Sequence, residues 1–232
     1  MKNPLSISIC TEIKELIEIN LNLIIELRSK KTLKADGSYV SEGDLLCESL
    51  IKGFLKKKYP KIWLVSEESP IDNVENIKKD EVLILDPIDG TENFVSGLME
   101  WGMAICYYKN GQHIESMLAL PELRKYLKTG DKIETIQSRI CGISSSLTKE
   151  DILKLKPGFE YRIIGCCVYN MLNVVNGSFN SFENPKGAYI WDIIPGLNLA
   201  LENGLNVVVN NKKYNGELLS PNDKYTFKIT RN

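Results

Sequence analysis

Val82-Leu83-Ile84-Leu85-Asp86-Pro87-Ile88-Asp89-Gly90-Thr91 reads as a buried apolar strand that runs into a carboxylate, turns sharply, and enters a short helix at Thr91. Asp86 leaves the strand end and Asp89 follows in the turn. The N–H groups of Gly90 and Thr91 then face outward at a helix start, where a phosphate oxygen is favoured, and glycine at position 90 leaves room for close approach. Two carboxylates so spaced can converge on one hard cation or bridge two, and Mg²⁺ prefers oxygen ligands in near-octahedral geometry. Alone, the stretch is equally well explained as an ordinary Asx-type turn.

Its surroundings shift that balance. A second apolar run, 62–66, also ends in acids, Glu67 and Glu68, and parallel strands of one sheet bring their C-terminal ends together. Upstream, a helical stripe of apolar residues covers 5–27, and a second helix is expected over 42–58, with Leu45, Leu46, Leu50, Phe54 and Leu55 on one face and Asp44 in its first turn. Lys34-Ala35-Asp36-Gly37-Ser38-Tyr39-Val40-Ser41 joins them with turn chemistry. Downstream, strands at 102–108 and 113–120 flank Asn110-Gly111, the signal for a type I′ hairpin.

After Gly142 helices and strands alternate: helix 149–156, a strand near Arg162, helix 167–175, strand 178–182, helix 193–203 and strand 205–209. Gly204 suits a helix C-cap, and Asp192 stands just before the helix that precedes it. We read one domain, 1–232, with an N-terminal α+β part to about 141 and a C-terminal α/β part from about 142. Asp44, Glu67-Glu68, Asp86/Asp89 and Trp191-Asp192 each have a bland explanation as a cap, a solvated loop end or a turn. Taken together, at strand ends and helix starts, they favour a site.

Composition narrows the chemistry. The 232 residues are 43% hydrophobic and 25% charged, the make-up of an ordinary soluble globular protein. With 29 basic against 30 acidic residues there is no global field to hold a nucleic acid polymer or an acidic membrane. Six scattered cysteines without metal-ligand spacing, and no signal peptide, point to a reducing cytoplasm. No apolar run approaches the roughly 20 residues of a membrane span. The single histidine, His113, argues against histidine triads and multi-histidine zinc sites. Carboxylates and hydroxyls must carry the chemistry.

Ser66-Glu67-Glu68-Ser69, Asp86-Pro87-Ile88-Asp89-Gly90-Thr91-Glu92-Asn93-Phe94 and Trp191-Asp192 resemble, in order and spacing, the signature segments of the inositol monophosphatase superfamily. Val40-Ser41-Glu42-Gly43-Asp44 resembles the family's segment before its second helix, and Arg162-Ile163-Ile164-Gly165 with Asn170-Met171 its later substrate-side helix, so the match runs from about 34 to about 209. The resemblance implies a single phosphatase domain, mixed α+β to α/β, layered α-β-α-β-α as in sugar and inositol phosphatases. It also implies two or three Mg²⁺ ions, often with lithium inhibition. Carried onto this chain, Glu67, Asp86 and the Ile88 carbonyl would hold one metal, and Asp86, Asp89 and Asp192 a second. Thr91, hydrogen-bonded to Asp44, would orient and deprotonate the attacking water, and the Gly90 and Thr91 N–H groups would hold the phosphate.

The partner is then a small phosphorylated metabolite, and a homodimer is allowed. Among family substrates, 3′-phosphoadenosine 5′-phosphate ranks first: Leu64-Val65-Ser66-Glu67-Glu68, Lys34-Ala35-Asp36-Gly37-Ser38 and the stretch 182–192 resemble bacterial 3′(2′),5′-bisphosphate nucleotidases. Asn93 resembles the inositol enzymes instead, and inositol monophosphates and fructose 1,6-bisphosphate are the alternatives. Lys186 is the candidate for a second phosphate, Glu183 for a sugar or inositol hydroxyl, and Gly165, with Asp89, for a further substrate contact. The segment 121–142 is shorter than in the family, and Tyr39 replaces a frequent proline. From other classes, a non-catalytic anion- or metal-binding protein would tolerate loss of one of these acids, and a nuclease would need a basic stripe. The chain shows neither feature.

Overall fold

The computed structural model describes residues 8–69 and 81–231. Helix α1 (Ile9–Glu26) starts where the Ser8 hydroxyl accepts the Thr11 N–H, and it buries Ile9, Ile13, Ile17 and Ile24. Leu5, the head of the expected stripe, lies outside the described residues. The segment read as a loop before the second helix is a hairpin, β1 (Lys31–Leu33) and β2 (Tyr39–Ser41), paired antiparallel.

Helix α2 (Glu42–Lys58) has the expected bounds but a different inward face. Asp44, Cys47, Glu48, Ile51 and Leu55 are buried, whereas Leu45 is exposed. The helix turns carboxylates inward at its N-terminal end, Asp44 toward Thr91 and Glu48 toward Ser69. An apolar stripe cannot register such positions.

Five strands form the first sheet in chain order: β3 (Trp63–Ser66), β4 (Glu81–Asp89), β5 (Gly102–Lys109), β6 (Gln112–Leu120) and β7 (Lys125–Lys128). β3 and β4 run parallel and the rest antiparallel. Asn110 (φ 50°) and Gly111 (φ 72°) make the expected left-handed turn between β5 and β6. A short helix, α3 (Thr91–Val95), follows β4. Strand alternation divides β4 between two cores. Leu83 and Leu85 pack with α1 and α2, while Val82 and Ile84 face the opposite side. A strand buried on both faces reads as an unbroken apolar run for this reason.

The second half supplies β8 (Ile140–Ile143), α4 (Lys149–Leu153), β9 (Glu160–Ile163), α5 (Cys167–Val175), β10 (Ser181–Ala188), α6 (Ile190–Glu202), β11 (Asn206–Val209), β12 (Lys212–Lys213) and β13 (Tyr225–Thr230). Their sheet has the order β12-β11-β13-β10-β8-β9. Its inner residues Phe182, Val207, Phe227 and Ile229 pack with Met171, Val174, Ile194 and Leu197 of α5 and α6 against the first sheet. On the outer face, Leu155 and Phe159, just beyond α4, border a shallow cleft with Ser181 and Lys228. The layers therefore follow the expected α-β-α-β-α order.

β7, β8, β12 and β13 were not among the expected strands, and β10 starts later and runs further than 178–182. Helix α6 begins at Ile190 rather than 193, which places Asp192 in its first turn instead of before it. The Asp192 side chain accepts the Tyr189 N–H and makes the cap itself. Among the described residues no helix is long and apolar enough to cross a membrane.

Candidate metal and phosphate site

Three chain segments converge where β3 and β4 end. Parallel pairing sets Ser66 beside Leu85, so Glu67 and Asp86 emerge side by side. In a regular strand Asp86 and Asp89, an odd number of residues apart, would point to opposite faces. The β4–β5 register slips between Asp86↔Ala104 and Asp89↔Gly102, and the extra residue of this bulge re-aims the chain. Asp192 arrives from the first turn of α6. Carboxylate oxygens of Glu67, Asp86 and Asp192 lie within 4.8 Å of one another.

Their environment is costly for anions. Asp86 is fully buried and neither of its oxygens meets a hydrogen-bond donor among the described residues. Burial, reinforced by Glu67, Asp89 and Asp192, holds its carboxyl well above the usual range. Burial and then Asp192 push Glu67 up to about 8. Burial and then Asp89 push Asp192 up to about 7. Asp89, the last residue of β4, is lifted by burial to about 6, opposed by the Cys166 thiol (2.9 Å) and the Val168 N–H (2.5 Å), both of which donate to its Oδ2. A shared proton or a cation would relieve Asp86, and this all-oxygen donor set suits a hard divalent ion. The residues thus fit Mg²⁺: Glu67, Asp86 and Asp192, with Asp89 alongside.

Lys34, from the turn of the β1–β2 hairpin, reaches the rim and donates to Glu67 (3.3 Å) and Glu68 (2.7 Å). Next to the carboxylates, Gly90 opens α3 at φ +78°, and a Cβ there would come within 2.9 Å of the Cys166 Cβ. The position requires glycine on both counts. The Thr91 hydroxyl lies 3.0 Å from the Ile88 carbonyl and 3.4 Å from Asp44 Oδ1. Ser41 fixes Asp44 by donating its N–H (2.9 Å) and hydroxyl (2.5 Å) to Oδ2, in the capping box of α2. Burial nevertheless raises Asp44 to about 6.

A cleft of about 200 Å³ opens beside the cluster, lined by Asp89, Ser144, Ser145, Ser146, Gly165, Cys166, Cys167, Asn184, Tyr189, Asp192 and Lys224, among others. Gly165 stands in its wall. Glu183 and Lys186 do not line it. Alternation along β10 sends Phe182 and Asn184 toward the cleft and Glu183 to the other face, where it meets Lys228 at 2.9 Å. Lys186 pairs with Asp151 at 2.7 Å. Asn93 is buried, its amide donating to the Glu100 and Ile164 carbonyls, which ties α3 to the loop before α5.

The serine run, Asn184, Tyr189 and Lys224 were missed by the sequence reading. Only Tyr189 carried a local signal, its place directly ahead of Ile190-Trp191-Asp192.

The model of the inositol monophosphatase family matches residues 5–139. The uncharacterized protein y4fL of Sinorhizobium fredii is 28% identical over 181 residues, 70% of this chain and 64% of that protein. The fructose-1,6-bisphosphatase/inositol-1-monophosphatase of Thermotoga maritima is 26% identical over 220 residues, covering 86% of this chain and 81% of the relative. Among solved structures, an IMPase/NADP phosphatase complexed with Mg²⁺ and phosphate superposes with a TM-score of 0.80 at 22% identity, over 96% of this chain and 88% of the other.

Proposed function

Because the chain belongs to the inositol monophosphatase family, we propose that it is a divalent-metal-dependent phosphomonoesterase acting on small sugar or polyol phosphates. The observation that carries this reading is Asp86: a buried carboxylate without a donor among the described residues, with Glu67 and Asp192 oxygens within 4.8 Å. Glu67, Asp86, Asp192 and Asp89 would hold the ions, with the Ile88 carbonyl as a further ligand. Bound there, divalent ions supply positive charge to phosphoryl and leaving oxygens and acidify water.

The chain's own residues do the rest. Thr91 Oγ1 is the group to receive the water's proton, with Asp44 Oδ1 at 3.4 Å positioned to take the hydroxyl proton in turn. A carboxyl raised to about 6 and still ionised at neutral pH is a suitable acceptor. Gly90, without a side chain at the start of α3, lets a phosphate approach the backbone.

Two observations favour a sugar or polyol phosphate over the nucleotide ranked first from sequence. The cleft, about 200 Å³, is smaller than the roughly 300–1,000 Å³ that encloses a drug-sized ligand. The Thermotoga maritima relative is named for fructose 1,6-bisphosphate and inositol 1-phosphate. Phosphate release should be measured in parallel from inositol 1-phosphate, fructose 1,6-bisphosphate and 3′-phosphoadenosine 5′-phosphate, with Asp89→Asn as control. Mg²⁺-dependent release from the first two, lost in the variant, is expected. A folded, Mg²⁺-binding protein inert on all three would refute the assignment, and the highest kcat/KM on the nucleotide would restore the nucleotidase reading.

A further inference from the structure

We propose that Asn198 is a positioning residue that sets the axial register of α6 on β5 and so brings Asp192 to Asp86. This inference rests on the metal-site reading above and assigns to its assembly a residue outside the site. Between Asp192 and Glu202 the only polar side chain on α6 is Asn198, and it is 2% exposed. An amide so buried costs free energy unless it is paired. Its Nδ2 donates to the Tyr108 hydroxyl (2.9 Å) and the Cys106 thiol (3.4 Å) of β5, and its Oδ1 accepts the Tyr214 hydroxyl (3.3 Å). The apolar contacts around it, Ile194 and Leu197 among them, are non-directional and set no axial position by themselves. A paired polar cluster has one register in which its members meet.

That register reaches the site through matched spacings. In the β4–β5 ladder Asp86 lies opposite Ala104 and Val82 opposite Tyr108. Ala104, Cys106 and Tyr108 alternate onto the face of β5 that shares a core with α6. From Ala104 to midway between Cys106 and Tyr108 the strand rises about 10 Å. From Asp192 to Asn198 the helix rises about 9 Å. An amide anchored at Cys106 and Tyr108 therefore delivers Asp192 beside Asp86, where their carboxylate oxygens lie within 4.8 Å. The partners do not depend on Asn198 for their own pairing. Tyr108 also donates to the Gly216 carbonyl (3.1 Å), Tyr214 to the Glu217 carbonyl (2.9 Å), and Cys106 accepts the Ser116 hydroxyl (3.1 Å). Loss of the amide thus strands none of them, and its effect falls on the placement of the helix.

The test is a double-mutant cycle on Mg²⁺ affinity, measured by calorimetry in the wild type, Asn198→Ala, Asp192→Asn and the double variant, with Glu67→Gln as a parallel background. Asn198→Ala should weaken Mg²⁺ binding roughly tenfold, the usual worth of a residue that orients a metal ligand. It should add little once Asp192 is gone, yet keep its effect in Glu67→Gln. A loss of the same size with and without Asp192 would mark general loosening and overturn the proposal, as would an unchanged affinity. If Asn198→Ala does not fold, Tyr108→Phe, which keeps the ring and deletes one acceptor of the amide, replaces it in the same cycle. If the wild type binds no Mg²⁺, the metal reading fails on its own. Crystal structures of the wild type and the variant then decide the register, as they do if Asp192→Asn binds too weakly to measure. A shift of α6 along its axis supports the role of Asn198, and α6 in place refutes it.

Discussion

Asp86 concentrates the electrostatic cost of the site on one side chain, since both oxygens are buried among other acids with no donor among the described residues. Replacing it by asparagine removes an ionisable group from the cluster and offers an amide to Glu67 and Asp192. Asp86→Asn should therefore raise the thermal midpoint in EDTA by several degrees, about 1–2 kcal/mol, and should abolish stabilisation by Mg²⁺. A midpoint unchanged or lowered in EDTA would show that the cluster is not self-repelling. At Thr91 the expected effect is kinetic. Thr91→Val keeps the shape and deletes the hydroxyl between Ile88 and Asp44. Steady-state kinetics should show kcat down by about 10²-fold or more with KM little altered. Asp44→Asn should do the same, and the double variant should be no worse than the poorer single one, because the two groups act as a unit.

Elements aim these side chains. The capping box of α2 serves both the helix and the site, because the Ser41 hydroxyl that accepts the Gly43 and Asp44 N–H groups also donates to Asp44 Oδ2. Ser41→Ala should cost about 1 kcal/mol in denaturant unfolding and, unlike an ordinary cap loss, should also lower kcat by freeing Asp44. Stability lost with kcat intact would separate the two roles. At the β4–α3 junction, Gly90→Ala forces a Cβ to 2.9 Å from Cys166 at φ +78°. The expected cost is about 1–3 kcal/mol, and the shift of Cys166 should carry its thiol away from Asp89 and weaken Mg²⁺ binding measured by calorimetry.

For the whole molecule the cluster sets a pH dependence that metal should reverse. Folded Glu67 titrates near 8, Asp192 near 7 and Asp89 near 6, all above their ordinary values. The folded state thus holds more protons than the unfolded one, and stability falls as pH rises from about 4 toward about 8. In EDTA the thermal midpoint should be higher at pH 5.5 than at pH 7.5. Mg²⁺ at about 100 times its dissociation constant should add about 2.7 kcal/mol at the higher pH, closing or inverting the gap. A midpoint in EDTA that climbs with pH would contradict the raised carboxyls. The chain alone determined the helices, the strands that carry the site and most of the acids. An unbroken run at 82–85 is legible because a strand buried on both faces needs it, and Asp86, Asp89, Glu67 and Asp192 are legible because each closes a strand or opens a helix. Local pattern stops at pairing and facing. The inward side of α2, the bulge between Asp86 and Asp89, the outward course of Glu183 and the arrival of Lys224 all depend on contacts between residues far apart in the chain. Only tertiary packing decided which charges meet, because side-chain direction is set by register and neighbours and not by the residue's own identity.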